Sequence, residues 1–362
     1  MEERVIFMSN MIRWEGTEMS CRTGYDCDRG VAEKMGEGRI KAKDVAKALG
    51  ISQTTVSRAL SGKGRVNLDT AERVRKYVEE HGGIDTGAVR TKNIALILPE
   101  EYSTTYPTFF FECLAGVQRM CNKKGYDVIV TSIAKNRVAP LERIVKARKI
   151  DGAILSRTYE NDETIRYLNK HHISMVAIGY TDENDIVCVD HDNQKSSSEI
   201  TQLLVDRGCQ RLLFVDGKSE HLVNNYRRLG FEAACDRNKK RLSHFEIADN
   251  IVNQRDAQVA VRRALRQKID GIICADDYLA VLVMNELKRR NVQVPEEMKV
   301  VSLFDNVYLE LNSPSVTSVR FNNIVIGEEA ALELIRQIEN PGCPMVKLKI
   351  LSYEIRMRET TE

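Results

Sequence analysis

The 362-residue chain has no apolar run approaching the roughly 20 residues that a membrane-spanning helix needs, and its acidic start, with Trp14 in the midst of charge, lacks an export-signal core. Both absences predict a cytoplasmic protein with no membrane partner. Aromatic residues make up only 6% of the chain, yet 43% is hydrophobic, enough to bury the cores of two or three domains. The nine cysteines, at 21, 27, 113, 121, 188, 209, 235, 274 and 343, include no C-x-x-C pair and are expected to be reduced thiols. Also missing are a G-x-x-x-x-G-K-[ST] phosphate loop, a G-x-S-x-G elbow and a G-x-G-x-x-G turn after a strand. His171, His172, His191, His221 and His244 show no metal-ligand spacing. The expectation is therefore a chain that is not an enzyme and carries neither metal nor cofactor.

An excess of one sign is lacking overall, since 54 Lys and Arg face 52 Asp and Glu for a net charge of +2. Its distribution is uneven. From Arg39 to Lys92 twelve cations face six anions, a local +6 that leaves the remainder near −4. A basic segment attached to a mildly acidic body suits a protein that meets phosphates with one part only. Residues 1–38 scatter glycines among charges without an apolar period, and are expected to be a disordered extension or to lie upstream of a natural start at Met19 or Met35.

Three short amphipathic helices follow, marked by Val45, Ala46 and Leu49, by Val56, Ala59 and Leu60, and by Val74 and Val78. Gly50 can take the positive φ that stops the first helix, and Ser52 can cap the second by accepting from an orphan N–H. The result is a helix-turn-helix, with Asn67 placed to cap the third helix. The inward Val56, Ala59 and Leu60 leave Gln53, Thr54, Ser57 and Arg58 on the outer face. That face is either ordinary solvated surface or a strip for the major groove, where Gln pairs with adenine and Arg with guanine.

Beyond Asn93 short β-rich runs alternate with helical stretches, at Ile94–Leu98, Asp127–Thr131, Ala153–Leu155, Met175–Ile178, Leu212–Val215, Gly271–Ala275 and Val300–Phe304. Such alternation predicts βαβ units and largely parallel sheets. About ten strands are too many for one compact sheet, so two lobes with a cleft between them are expected.

These residues resemble a known family. Lys43-Asp44-Val45-Ala46, Gly50-Ile51-Ser52, Thr55 through Leu60 and Gly62-Lys63-Gly64-Arg65-Val66 resemble the head of lactose-repressor (LacI/GalR) regulators. Asp151 through Ser156, Cys274-Ala275-Asp276-Asp277, Phe304-Asp305-Asn306 and Ser313-Pro314-Ser315-Val316-Thr317 extend the resemblance over nearly all of 40–362. It implies an all-α helix-turn-helix head at 39–82, a short linker at 83–92, and at 93–362 a two-lobed, type I periplasmic-binding-protein-like α/β domain for effector binding and dimerisation. Ser52, Gln53, Thr54, Thr55, Ser57, Arg58, Lys63 and Asn67 would contact operator DNA. Arg227, in Arg227-Arg228-Leu229-Gly230-Phe231, would contact the effector opposite Asp305, the alternative being a structural salt bridge between the two. Asp276 stands where the family often has Asn, and so adds a negative charge to the expected pocket. Tyr102, Tyr106 and Phe109 could stack on an apolar sugar face or complete the core.

The implied function is that of a homodimeric regulator, expected to be a repressor of double-stranded operator DNA controlled by a small-molecule, carbohydrate-like effector. The alternative is a non-exported sugar-binding protein without DNA function. The linker departs from the family, being much shorter than the usual hinge segment and offering no Leu for the minor groove.

Overall fold

The computed structural model describes residues 40–61, 66–80, 84–85, 90–103, 107–135, 137–183, 186–340 and 346–362. Two compact units result, the second beginning at Arg90.

The first unit contains β1 (Ile40–Lys41), α1 (Ala42–Leu49), α2 (Gln53–Ser61), α3 (Leu68–Glu80) and β2 (Ile84–Asp85). Its small core is built on Val45, Val56, Ala59 and Val74, each essentially without solvent contact. Gly50 adopts φ +66° and its N–H returns to Ala46 O, which ends α1 and turns the chain. Ser52 Oγ then accepts from Thr55 N at 3.0 Å, and Asn67 Oδ1 accepts from Asp69 N at 3.1 Å. Each cap satisfies a donor that the first helical turn would otherwise leave orphaned. β1 and β2 pair in parallel, Ile40 with Ile84 and Lys41 with Asp85. Of the expected linker, then, Ile84 and Asp85 are paired within the head unit. At its other end Thr91 and Lys92 donate backbone N–H groups to Asp151, in the body.

The second unit begins with β3 (Asn93–Pro99), α4 (Pro107–Lys124), β4 (Asp127–Ile133), α5 (Ala139–Lys146), β5 (Gly152–Leu155), α6 (Glu163–Lys170), β6 (Ser174–Ile178) and β7 (Val187–His191). It continues through α7 (Asn193–Asp206), β8 (Arg211–Val215), α8 (Leu222–Arg237), β9 (His244–Ala248), α9 (Gln254–Arg266), β10 (Gly271–Cys274) and α10 (Asp277–Arg289). The last elements are β11 (Lys299–Ser302), α11 (Val307–Glu310), β12 (Thr317–Phe321), α12 (Asn323–Glu339), β13 (Leu348–Leu351) and β14 (Tyr353–Arg356).

Among the described residues the strands form two six-stranded sheets, ordered β13-β7-β6-β5-β3-β4 and β14-β12-β11-β10-β8-β9. Every pairing is parallel except β12 with β14. The central strands are apolar on both faces, as helices packed on either side require: β5 (Gly-Ala-Ile-Leu) and β10 (Gly-Ile-Ile-Cys) are wholly buried. The chain passes between the two lobes three times, from β7 into α7, from β12 into α12 and from β13 into β14. His191 and Phe321 end two of the strands at these crossings and stack on each other at 4.5 Å. The six described cysteines, 113, 121, 188, 209, 235 and 274, are buried free thiols, and burial pushes their ionisation upward.

Candidate functional site

On the head, Gln53, Thr54, Ser57 and Arg58 are exposed together on one side of α2, opposite the buried Val56 and Ala59. Their spacing of one, three and one places them on one helical face. Thr55 is half-buried and its hydroxyl pairs with Ser52 Oγ at 2.8 Å, so this pair fixes the start of the helix as well as offering oxygen atoms there. Asn67 is exposed at the start of α3. Lys63 lies outside the described residues.

In the body, one cavity opens between the lobes at the carboxyl ends of the strands, where parallel α/β sheets bind ligands. With the open solvent at its mouth included, it spans about 810 Å³. The first lobe contributes Phe109 from α4, Ser156 and Arg157 after β5, Ile178 and Gly179 at the end of β6, and Asp190 and His191 at the end of β7. The second contributes Asn193, Asn224 and Arg227, Asp276 and Asp277 after β10, and Phe304 and Phe321.

Arg227 is held by the packing of its own helix. A Cβ on Gly230 would lie 2.1 Å from Gln194 O, so only glycine allows α8 to approach α7 this closely. Phe231 next to it is fully buried. The approach lets Ser197 Oγ donate to Arg227 O at 2.6 Å, and lets Arg227 Nε and Nη1 donate to Asn193 Oδ1 (3.1 Å) and Ala275 O (2.7 Å). The Arg-x-x-Gly-Phe pattern is thus a packing device that aims a guanidinium into the cleft.

Around this cation lie buried carboxylates. Asp190 Oδ1 accepts from His191 N and Asn193 Nδ2, yet burial prevails and pushes its ionisation up to about 7. Asp216, just behind, is likewise pushed up to about 7 by burial, with the nearby Arg227 charge opposing. Asp276 caps α10 by accepting from Leu279 N at 2.8 Å. Burial and the Asp276 charge together raise Asp277, whose Oδ2 accepts from Asn306 Nδ2. His191 is pushed down to about 4, mainly by burial, with backbone groups of Leu351 and Ser352 opposing.

Asp305 departs from its expected place. It is absent from the cavity lining and does not meet Arg227; Arg358 grips both its oxygens, at 2.7 and 3.2 Å, and Ser318 Oγ donates to it at 2.6 Å. A bidentate partner drawn from the far end of the chain satisfies the carboxylate and ties it to β12. Phe109 does line the cleft, edge-on to Phe304 at 6.0 Å. The Tyr102 backbone lies in the short helical turn after β3, while its side chain and Tyr106 lie outside the described residues.

The lobes also touch beside the cavity. Arg157 donates to His221 Nδ1 at 2.5 Å, and Glu101 lies 3.6 Å from His221 Nε2 and from Lys218 Nζ. Lys135 pairs with Glu220 at 3.3 Å, and Tyr159 and His221 form a backbone bridge. Burial, then the Arg157 charge, pushes His221 down to about 4; the adjacent His221 ring, with Lys218 and Arg157, holds Glu101 down at about 2.

The same two parts of the chain match known families. Residues 41–82 match the family "Bacterial regulatory proteins, lacI family", and residues 201–361 match the "Periplasmic binding protein-like domain". The chain belongs to the LacI family of transcriptional regulators. The HTH-type transcriptional regulator MalR of Streptococcus pneumoniae serotype 4 is 27% identical over 313 residues, spanning 83% of this chain and 93% of MalR. Two solved structures share the fold: a transcriptional regulator CelR–cellobiose complex (22% identity, TM-score 0.66, 89% of this chain and 100% of that one) and a lac repressor dimer bound to operator (16%, TM-score 0.64, 90% and 99%). As a LacI-family member the chain is a DNA-binding transcriptional regulator with a two-lobed body, in a family of regulators and not of enzymes.

Several cleft residues escape the sequence reading: Asp190, His191, Asn193, Asn224, Arg157, Asp277, Phe304 and Phe321. The signal that could find some of them is their place at or just beyond the carboxyl end of a buried strand, as with Asp190 and His191 on β7.

Proposed function

We propose that the protein is a cytoplasmic, homodimeric repressor whose heads read a roughly palindromic operator and whose affinity for it is set by a carbohydrate-like effector in the interlobe cleft. The observation that carries this reading is the pairing of an exposed Gln53, Thr54, Ser57 and Arg58 face on a capped helix-turn-helix with an Arg227-centred cavity between two lobes. Gln53, Thr54 and Arg58 would read base edges, and Ser52, Thr55, Ser57, Lys63 and Asn67 would contact phosphates or sit beside them. In the cleft, Arg227 donates, the Asp190 and Asp276 carboxylates accept, and Phe109 and Phe304 offer aromatic faces to a sugar ring. A relative of the same fold supports the sugar: the regulator CelR is held with cellobiose. An apolar strip of Val307, Tyr308 and Leu311, 58%, 65% and 76% exposed on and just after α11, supports a homodimer.

Effector control requires a ligand with different affinities for two states of the body, since only that difference can shift an equilibrium. Fluorescence anisotropy on labelled genomic fragments tests the reading. Binding should be saturable and weaken by orders of magnitude, about 10³-fold or more, between 50 and 200 mM salt as phosphate counterions are released. A purified dimer that ignores duplex DNA at low salt, with and without sugars, sinks the regulator reading.

A further inference from the structure

The cleft is tied to an exposed surface of the second lobe through one side chain. Asp277, the first residue of α10, lines the cavity and is 8% exposed. Its Oδ2 accepts from Asn306 Nδ2, and the backbone N–H groups of Asp277 and Tyr278 meet the same carboxylate. With its other end Asn306 caps α11, where its Oδ1 accepts from Leu309 N at 3.1 Å. The amide has one orientation only, because the Leu309 N–H requires an oxygen and the carboxylate requires a donor. A hydrogen bond to a carboxylate is about twice as strong as one between neutral groups, so Asn306 is drawn firmly toward the cleft.

A helix as short as α11 has no stability of its own in water, so its anchors set its geometry. Behind it, Arg358 grips Asp305 and reaches Glu310 at 3.5 Å, while Leu309 is fully buried and its carbonyl accepts from Val316 N at 2.9 Å. On the outer side, Val307, Tyr308 and Leu311 are three of the four most exposed large apolar side chains among the described residues. Such a cluster marks a contact surface. The chain carries one recognition helix and a palindromic operator takes two, so two bodies must be joined by a surface of their own. The occupant that fits this strip is therefore a second copy of the chain.

We propose that the Asp277–Asn306 contact is a relay coupling the effector cleft to self-association: a ligand group that draws on the Asp277 carboxylate loosens Asn306, and with it the cap of α11 and the apolar strip. The proposal rests on the readings of the cleft as the effector site and of the strip as the face between two copies. Coupling between two sites is reciprocal, so the joining of two copies alters effector affinity by the same factor.

Sedimentation equilibrium and hydrogen exchange on the full chain test the relay without an identified effector. Asp277→Ala removes the acceptor from the cleft side. Asn306→Asp keeps the cap oxygen for Leu309 N but replaces the donor with a like charge. Each should raise the dimer dissociation constant tenfold or more and speed exchange across 306–312, while 94–98 in the first lobe stays protected. The double variant should be no weaker than either single one, since both cut the same link. A capping role alone predicts no effect of Asn306→Asp. Dissociation constants within twofold of wild type, additive effects, or loss of protection in the first lobe as well each overturn the relay. A wild-type chain that stays monomeric overturns it together with the strip as the face between copies, and leaves the cleft as an effector site intact.

Discussion

Arg227 answers three demands at once: it satisfies two buried acceptors, offsets the nearest carboxylates and faces the cavity. Replacing it with Ala leaves Asn193 Oδ1 and Ala275 O short of a donor and the surrounding aspartates without their cation. Arg227→Ala should lower stability by about 3–5 kcal/mol, the usual result of breaking a buried charged contact from one side. Lys, a point charge without a planar fork, should restore only part of this. Urea denaturation of the two variants would show it, and equal stability of wild type and Ala variant would refute the role. At the other end of the molecule Arg58→Ala should cost about 1–3 kcal/mol of discrimination at one base position of the operator. Competition binding with single-base operator variants reads this, and a uniform weakening would mark Arg58 as a phosphate contact. Arg58 is legible in the sequence because Gly50 and Ser52 define its helix, whereas Arg227 is placed by the family resemblance, through the Arg-x-x-Gly-Phe pattern. Asp305 is not legible, because the group that claims it, Arg358, lies 53 positions further on.

At the scale of elements, glycine decides how closely helices pack. A Cβ on Gly327 of α12 would stand 2.2 Å from Cys113 O on α4, and one on Gly116 would stand 2.0 Å from Ile324 O. Backbone atoms cannot swing aside as a flexible side chain does, so the helices must separate. Gly327→Ala should therefore destabilise the first lobe by about 1–3 kcal/mol through overpacking. Gly50 makes the contrasting case: nothing lies within 4 Å of a Cβ there, and the cost of Ala comes from φ +66° alone, about 1–2 kcal/mol. Far-UV circular dichroism during urea unfolding separates the two, and a neutral Gly327→Ala would show that the helix pair yields. The alternation of strand and helix made both sheets readable, since each buried strand is an apolar run of its own. Edge and closing strands such as β9, β13 and β14 are not readable: none of their residues is fully buried, so no continuous apolar run marks them.

For the whole molecule, the cleft converges from strand ends that are distant in sequence, which is why Asp190, Phe304 and Phe321 gave no local sign of their common role. The same convergence joins the lobes at His221, which is 1% exposed and faces Arg157, Glu101, Lys218 and the Tyr159 ring. Arginine is always a donor, so His221 Nδ1 must accept and the ring must be neutral for this contact to exist. Its ionisation falls from 6.5 in the open chain to about 4 in the folded protein. A depressed histidine is bound by fewer protons when folded, so its contact is fully present above pH 6.5 and is lost as pH falls toward 4. Asp190 and Asp216, raised to about 7, act in the opposite sense: their buried charge is relieved as pH falls from 7 toward 4. The two trends oppose each other in the wild type, and a variant can unmask one of them. His221→Gln keeps an acceptor for Arg157 but cannot titrate. Relative to wild type its stability should improve by up to about 2 kcal/mol between pH 7 and pH 5, at about 1.4 kcal/mol per pH unit once below 6.5. Parallel urea titrations at the two pH values measure the difference, and an offset between the proteins that stays constant with pH would mean that the His221 proton plays no part in holding the lobes together.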